Sequence, residues 1–433
     1  MAPITKTFTV KQSKPRIGII GGTIWGNRGA ESMLTTTIGM LRKDFPDARF
    51  IIFSYYPEKD RTLIGDLEIK ILSSTPFALI TGHFLGAIVL KIARMLGLKQ
   101  QSGKLFNTAV ELSSCDVLLE IGGITFSDGR EKYLPFNILT IWPAMILGVP
   151  VIKLSQALGP FRNGINRNAA GLFLSKCRHI FARGSESLEH LRSLGLPEEK
   201  ISLSPDIAFC FDLKFSLSHE NEEMRRDLVR TLTAIKESGK KIIAISPSVL
   251  VEKQSQNAGI DYLGIFNDFM NDMDSRDHHF VIFPNASRKG IKKTHNNDLV
   301  AIEKMKEIAI LEGQVKVGVS WVTYDINSAA IREIVRISDL LITSRFHAMI
   351  AALCERVPVL VVGWSHKYDE VLKLFGLGEY ALDFKDADCT GLKDLVVQMV
   401  QDQQAIRNRI ASKFESIRVL SADQFKQVAK ILE

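Results

Sequence analysis

At 433 residues the chain exceeds one ordinary core, so two domains of about 200 residues each are expected. A hydrophobic share of 46% with 24% charged residues excludes a disordered or fibrous protein, and the net charge of +7 arises without a Lys/Arg run interleaved with aromatics, so no nucleic-acid partner is expected. Five cysteines, Cys115, Cys177, Cys210, Cys354 and Cys389, form no CxxC pair, which argues against a zinc knuckle or disulfide framework and for a reducing cytoplasm.

Met1–Pro15 is polar and lacks the apolar core of a signal peptide, so a frayed leader is expected there. Short β-rich runs then alternate with helix-length segments: 16–21, 49–55, 68–72, 116–121, 149–154 and 179–182. That alternation predicts a parallel sheet with crossover helices. The first turn, Gly21 to Glu31, carries glycines suited to close backbone approach, but its spacing is neither GxGxxG nor a Walker loop. From Ile71 to Leu90 no charged residue occurs. Ser73, Ser74, Pro76, Gly82 and His83 disfavour a spanning helix, which leaves a helix packed in the first domain or, as the second alternative, a membrane-surface patch flanked by Lys91, Arg94 and Lys99.

A second glycine turn, Gly122-Gly123, follows the strand ending at Glu120, and Ser155-Gln156 follows another. Each is also compatible with an ordinary strand-end turn. Arg183 closes the 179–182 strand just before the helix start Gly184-Ser185-Glu186-Ser187, where it could clamp an anion or merely pair with Glu186 or Glu189. A polar stretch, 216–241, separates this half from a second strand series at 241–246, 279–283, 314–319, 339–343 and 358–362. Ser344-Arg345-Phe346-His347 follows the fourth of these strands and precedes a predicted helix. Ligands of open α/β sheets collect at strand carboxyl ends, and helix amides there favour anions. If the backbone is still extended, Arg345 and His347 point to one side. Lys367, after Gly363-Trp364-Ser365-His366, is an exposed lysine or a cleft residue, and from Leu392 to Phe414 helical periodicity resumes.

Taken in order, Asn27-Arg28-Gly29-Ala30-Glu31, Gly122-Gly123, Gln156 with Gly159-Pro160, Arg183 with Ser187, Pro205-Asp206 and Ser344 to His347 resemble the polysaccharide pyruvyl transferase family. The departures are Ala30 in place of an aspartate, Gly184 in place of an acidic residue, and Gly-Gly-Ile in place of a longer glycine run. The resemblance implies an α/β protein with two Rossmann-like domains facing a cleft, like the GT-B fold: residues 1–215 on the acceptor side, 216–385 on the donor side, and 386–433 as helices closing the interface. It further implies transfer of pyruvate from phosphoenolpyruvate to hydroxyls of a glycan or lipid-linked saccharide as a ketal, with phosphate released. Phosphoenolpyruvate is then a co-substrate, and neither cofactor nor metal is expected.

On that footing Arg183, Arg345, Ser344, Phe346 and Lys367 are assigned to phosphoenolpyruvate, because guanidinium groups suit a carboxylate beside a phosphate. His347 is the general acid. Asn27, Glu31, Gly122, Gly123 and Gln156 are assigned to the acceptor. The expected location is cytoplasmic, with a membrane-associated form at the inner face as the variant. Two other functions fit the sequence: a GT-B glycosyltransferase or sugar-nucleotide epimerase, and a non-catalytic binding protein that kept the fold.

Overall fold

A computed structural model describes residues 14–66, 68–97, 106–217, 222–273, 276–288, 296–311, 318–363 and 366–433. Most of the expected leader and of the 314–319 run, and Lys99, Glu220, Asn221, Trp364 and Ser365, lie outside the described residues.

The apolar runs of the first half become β1 (Arg16–Ile20), β2 (Arg49–Ser54), β3 (Ile69–Ser73), β4 (Val117–Glu120), β5 (Ile124–Thr125), β6 (Val151–Leu158), β7 (His179–Ala182) and β8 (Ile201–Leu203). They form one parallel sheet in the order β3-β2-β1-β4-β6-β7-β8, with β5 paired to β6. The second half gives β9 (Lys241–Ser246), β10 (His278–Ile282), β11 (Val319–Trp321), β12 (Leu340–Thr343), β13 (Val359–Gly363) and β14 (Ala381–Asp383), in the order β11-β10-β9-β12-β13-β14. Every described strand pair is parallel, as continuous apolar runs covered on both faces require. The chain therefore holds two Rossmann-like domains, and strand order reverses between β1 and β4 in one and between β9 and β12 in the other. Loops at those reversals open the crevices where ligands bind in such sheets. Three short strands, β5, β8 and β14, had no clear sequence signal, because runs of two or three residues carry no period.

Seven helices matter for the site: α1 (Arg28–Asp44), α2 (Pro76–Met95), α3 (Ser185–Ser193), α4 (Ser328–Ile337), α5 (Phe346–Cys354), α6 (His366–Leu374) and α7 (Gln403–Leu432). α1 starts where Asn27 caps it, accepting from Gly29 N at 3.1 Å and Ala30 N at 3.4 Å. Its buried face, including Met33, Leu34, Ile38 and Leu41, joins one apolar cluster that also contains Ile331 and Ile334 of α4 and Met349 and Ile350 of α5. One core thus crosses from the first domain to the second.

α7 binds both halves. Near its start Gln403 Nε2 donates to the carbonyl of Asp339 at 2.8 Å, and near its end Gln424 Nε2 donates to Ser155 Oγ at 2.6 Å and to the Pro205 carbonyl at 3.0 Å. Ser421 Oγ donates to the Asp206 carbonyl at 2.8 Å. The closing helix thereby fixes the Pro205-Asp206 segment from below.

Candidate functional site

Asp206 is the hub where the two domains meet. Its carboxylate is fully buried, accepts from Arg183 Nη1 at 3.2 Å, and lies 3.7 Å from His347 Nε2. Arg183, expected to pair with Glu186 or Glu189 if it were only structural, pairs here instead. Its guanidinium also sits 4.4 Å from the centroid of the Phe346 ring, and Lys367 Nζ lies 5.6 Å from the same centroid. A cation over an aromatic face is attracted by the ring quadrupole, so Phe346 serves as a shared platform for cations from both domains.

Lys367 is not an exposed lysine. Burial pushes its ammonium down to about 7, and the charges of Arg183, Arg345 and Arg130 push the same way. Such crowding of like charge is costly unless an anion enters. The amino terminus of α5 adds to this, for Arg345 occupies the cap position with extended backbone and its side chain makes no capping hydrogen bond to the helix amides.

The expectation that Arg345 and His347 share an extended strand end fails, because the helix already begins at Phe346. The two side chains accordingly reach different partners. Arg345 binds the Asp298 carboxylate through Nε, at 3.1 Å, and Nη2, and donates from Nη1 to Asn296 Oδ1 at 2.7 Å. Asp298 in turn accepts from the amides of Val249, Asn285 and Ala286, which locks the guanidinium to the loops around β9 and β10.

His347 turns toward the first domain. Its ring lies so close to Gly29 that a Cβ there would stand 2.2 Å from Nδ1, so only glycine admits the imidazole. Desolvation lowers its pKa to about 4; Asp206 opposes that shift, while Arg183 and Lys367 reinforce it. A pKa that low leaves the imidazole neutral at physiological pH. Nε2 is buried and has no hydrogen-bond partner among the described residues.

Ser344, assigned to the donor, is fully engaged elsewhere: Tyr262 Oη lies 2.6 Å from its Oγ, which donates to the Val362 carbonyl, and Tyr368 Oη donates to its own carbonyl at 3.0 Å. It shapes the turn rather than facing the site.

Several residues assigned to the acceptor are also internal. Glu31 is 1% exposed, pairs with Arg28 Nη1 at 2.7 Å, and accepts from Ser328 N at 3.1 Å at the start of α4. Burial pushes its carboxyl up to about 7, with Arg28 and the Ser328 amide pulling down. The turn from Asn27 to Glu31 is thus a dock onto the second domain, where Arg28 N also donates to the Asn285 carbonyl at 3.1 Å.

Gln156 is completely buried: its Nε2 donates to the carbonyl and carboxylate of Glu120, and its Oε1 accepts from Thr125 Oγ1 at 2.6 Å. Lys153 donates to the same carboxylate. Glu120 Oε1 accepts from Gly122 N at 2.9 Å, so this network supports the glycine turn from beneath. Gly123 borders the cations, since a Cβ on it would lie 3.8 Å from Arg183 Nη1. A cavity of about 160 Å³ opens beside the turn, lined by Glu120, Gly122, Thr125, Arg130 and Tyr133 among others.

Sequence reasoning missed Asp298, Arg130, Tyr262, Tyr368 and Glu370. The last reaches from α6 to the start of α3, where Gly184 has no side chain to cap the helix and the Glu370 carboxylate accepts from Ser185 Oγ and Glu186 N, both at 3.1 Å. A Cβ on Gly184 would fall 2.1 Å from that carboxylate. The missing acidic side chain after Arg183 is thus replaced in space by one from the other domain. Only that departure, Gly184, hinted at it. Among the described residues no group of three or more His, Cys, Asp or Glu side chains is placed to hold a metal ion.

The sequence model of the family described as polysaccharide pyruvyl transferase matches residues 27–366. The amylovoran biosynthesis protein AmsJ of Erwinia amylovora is 22% identical over 432 residues, covering 95% of this chain and 100% of that protein. Among solved structures, a putative UDP-N-acetylglucosamine 2-epimerase from Listeria monocytogenes superposes with a TM-score of 0.60 at 13% identity over 96% of each chain. The UDP-N-acetylglucosamine 2-epimerase from Neisseria meningitidis does so with a TM-score of 0.56 at 13% identity, over 96% of this chain and 99% of that one. At such identities the likeness shows the GT-B-like fold alone.

Proposed function

Because this chain belongs to the polysaccharide pyruvyl transferase family, we propose that its cleft takes phosphoenolpyruvate as donor and builds a pyruvate ketal on a saccharide during polysaccharide biosynthesis. The observation that carries the proposal is the convergence of Arg183 from the first domain with Lys367 and Arg345 from the second around Phe346, at the uncapped start of α5 and beside His347. Asp206 and Asp298 already pair with Arg183 and Arg345, and a three-carbon donor with a carboxylate next to a phosphate brings the further negative charge that offsets Lys367. Arg183 and Lys367 bind it, the α5 amides receive one of its anionic groups, and Arg345 is held ready by Asp298.

His347 does the proton work. The donor's charge offsets Arg183 and Lys367, the two cations that help hold the imidazole neutral, so binding raises the proton affinity of Nε2 while Asp206 stabilises the imidazolium. The imidazolium then delivers a proton to the methylene carbon of the enol phosphate, and the adjacent carbon becomes electrophilic. A saccharide hydroxyl adds there and releases its proton. A second hydroxyl of the same acceptor attacks that carbon, the carbon–oxygen bond to phosphate breaks, and phosphate leaves with the second hydroxyl proton. The acceptor is proposed to lie along the glycine turn, with Gly123 allowing its approach to Arg183.

The test is incubation with phosphoenolpyruvate and glycan fractions of the source cells, reading phosphate release and the mass of the product. Transfer with a pyruvate ketal on the glycan is expected, and His347→Ala should abolish it while leaving donor binding largely intact. Stabilisation by uridine nucleotides without any response to phosphoenolpyruvate would replace this proposal with nucleotide-sugar chemistry.

A further inference from the structure

Among the described residues, α2 carries the longest run of exposed large apolar side chains. Its inner face, Leu79, His83, Gly86, Ala87 and Leu90, is buried against the first domain. The outer face carries Phe77 at 77% exposure, Ile92 at 51% and Met95 at 77%, together with Ile80, Leu85 and Val89. These positions recur every three to five residues, so a continuous apolar stripe runs the length of a 20-residue helix. Isolated exposed apolar side chains are ordinary on a protein surface, but a stripe of this length marks an interaction site.

Charge says what covers it. α2 itself contains no acidic residue and carries Lys91 and Arg94, with Lys99 and Lys104 following in sequence, whereas Lys70 is paired with Glu111 at 2.7 Å. Lys91 and Arg94 are exposed beside the stripe. An apolar helix that bears basic residues and no acidic one of its own complements the boundary of an anionic lipid leaflet, where apolar side chains enter the acyl region and cations meet headgroups.

By length and composition α2 is able to cross a membrane, yet it is stitched to the domain. His83 Nε2 lies 3.0 Å from the Ser73 carbonyl, its ring packs on Phe53 with centroids 5.1 Å apart, and Phe84 packs on Trp142 at 4.6 Å. Spanning would tear out these contacts, whereas lying in the plane of the surface keeps them all. A groove of about 550 Å³ continues from Pro76 and Ile80 along Tyr55, Tyr56 and Phe136, and shares Tyr133 and Phe136 with the cavity at the glycine turn. A helix resting on lipid therefore brings the mouth of that groove to the membrane.

We propose that α2 is an in-plane docking helix that seats the enzyme on an anionic bilayer. The experiment is co-sedimentation of the full chain with vesicles rich in phosphatidylglycerol, with phosphatidylcholine vesicles as the comparison. Binding to the anionic vesicles, weakened by added salt and lost by about tenfold or more in Phe77→Glu/Ile92→Glu/Met95→Glu, is expected. Replacing Lys91 and Arg94 by Gln should weaken it about fivefold per residue. If the triple variant fails to fold, the Lys91 and Arg94 replacements decide the question by themselves. The proposal is overturned if the wild type stays in solution with anionic vesicles, if the substitutions leave binding unchanged, or if sedimentation velocity shows that the stripe is buried in a dimer which the triple variant dissolves.

Discussion

On the proposed reading, the crowded cations make binding of phosphoenolpyruvate a proton-coupled event. Lys367 sits near 7 because it is half-buried and desolvated and faces three arginines, so at about pH 7.5 only about a quarter of the molecules carry its proton. A phosphate monoester is already essentially dianionic there, its second pKa being about 6. Placing that dianion among Arg183, Arg345 and Lys367 removes the penalty on the ammonium and returns it toward its ordinary 10.5. Binding then takes up about 0.75 of a proton at Lys367, and about 0.1 more if His347 rises from about 4 to its ordinary 6.5. Isothermal titration with phosphoenolpyruvate in buffers of different ionisation enthalpy measures this directly, as the slope of observed against buffer enthalpy. The sign follows from uptake: affinity strengthens as pH falls from about 10 toward 7, then levels as Lys367 becomes protonated in the free protein as well. In Lys367→Met the slope should collapse to about 0.1. A wild-type slope indistinguishable from zero, with binding intact, would refute the electrostatic account of the site.

Gly29→Ala places a methyl group on the His347 ring, so the imidazole has to move; kcat should fall about a hundredfold, at a stability cost of about 1–3 kcal/mol in urea unfolding. Wild-type kcat in that variant would show that the ring position is unimportant. Lys153→Met strands the Glu120 carboxylate in the interior and should destabilise the protein by about 3–5 kcal/mol, seen as a lower midpoint with an unchanged denaturant slope. For His347 the unfolded chain binds a proton near 6.5 that the folded one accepts only near 4, so its contribution is present above about pH 6.5 and is lost as pH falls toward 4. That amounts to at most about 3 kcal/mol, and pH-dependent unfolding of His347→Asn should lack this part of the slope.

Much of the architecture lies in local pattern. The strands at 16–20, 179–182, 241–246 and 340–343 are apolar runs that need burial on both faces, and only a parallel sheet under helices provides it. Glycine turns and an arginine directly after such strands mark the cleft because strand ends in these folds share one edge. Arg183 and the Ser344 to His347 stretch stand directly after such strands, whereas Lys367 reads equally as an exposed lysine and is tied to the donor, like Phe346, only through the family resemblance.

Other assignments depended on distances between residues far apart in the chain, which periodicity does not encode. Gln156, at a strand end like the others, proves to be a buried brace because Glu120 and Thr125 close on it from neighbouring strands. Glu31 points into the domain contact because α4 offers it a free amide, 297 residues away. Asp298 and Glu370 carried no motif and matter only because folding brings one to Arg345 and the other to the start of α3. Residue types and strand order are thus local and readable, whereas the partner of each charged group is settled by packing, since a buried charge must find its counter-charge wherever the fold places it.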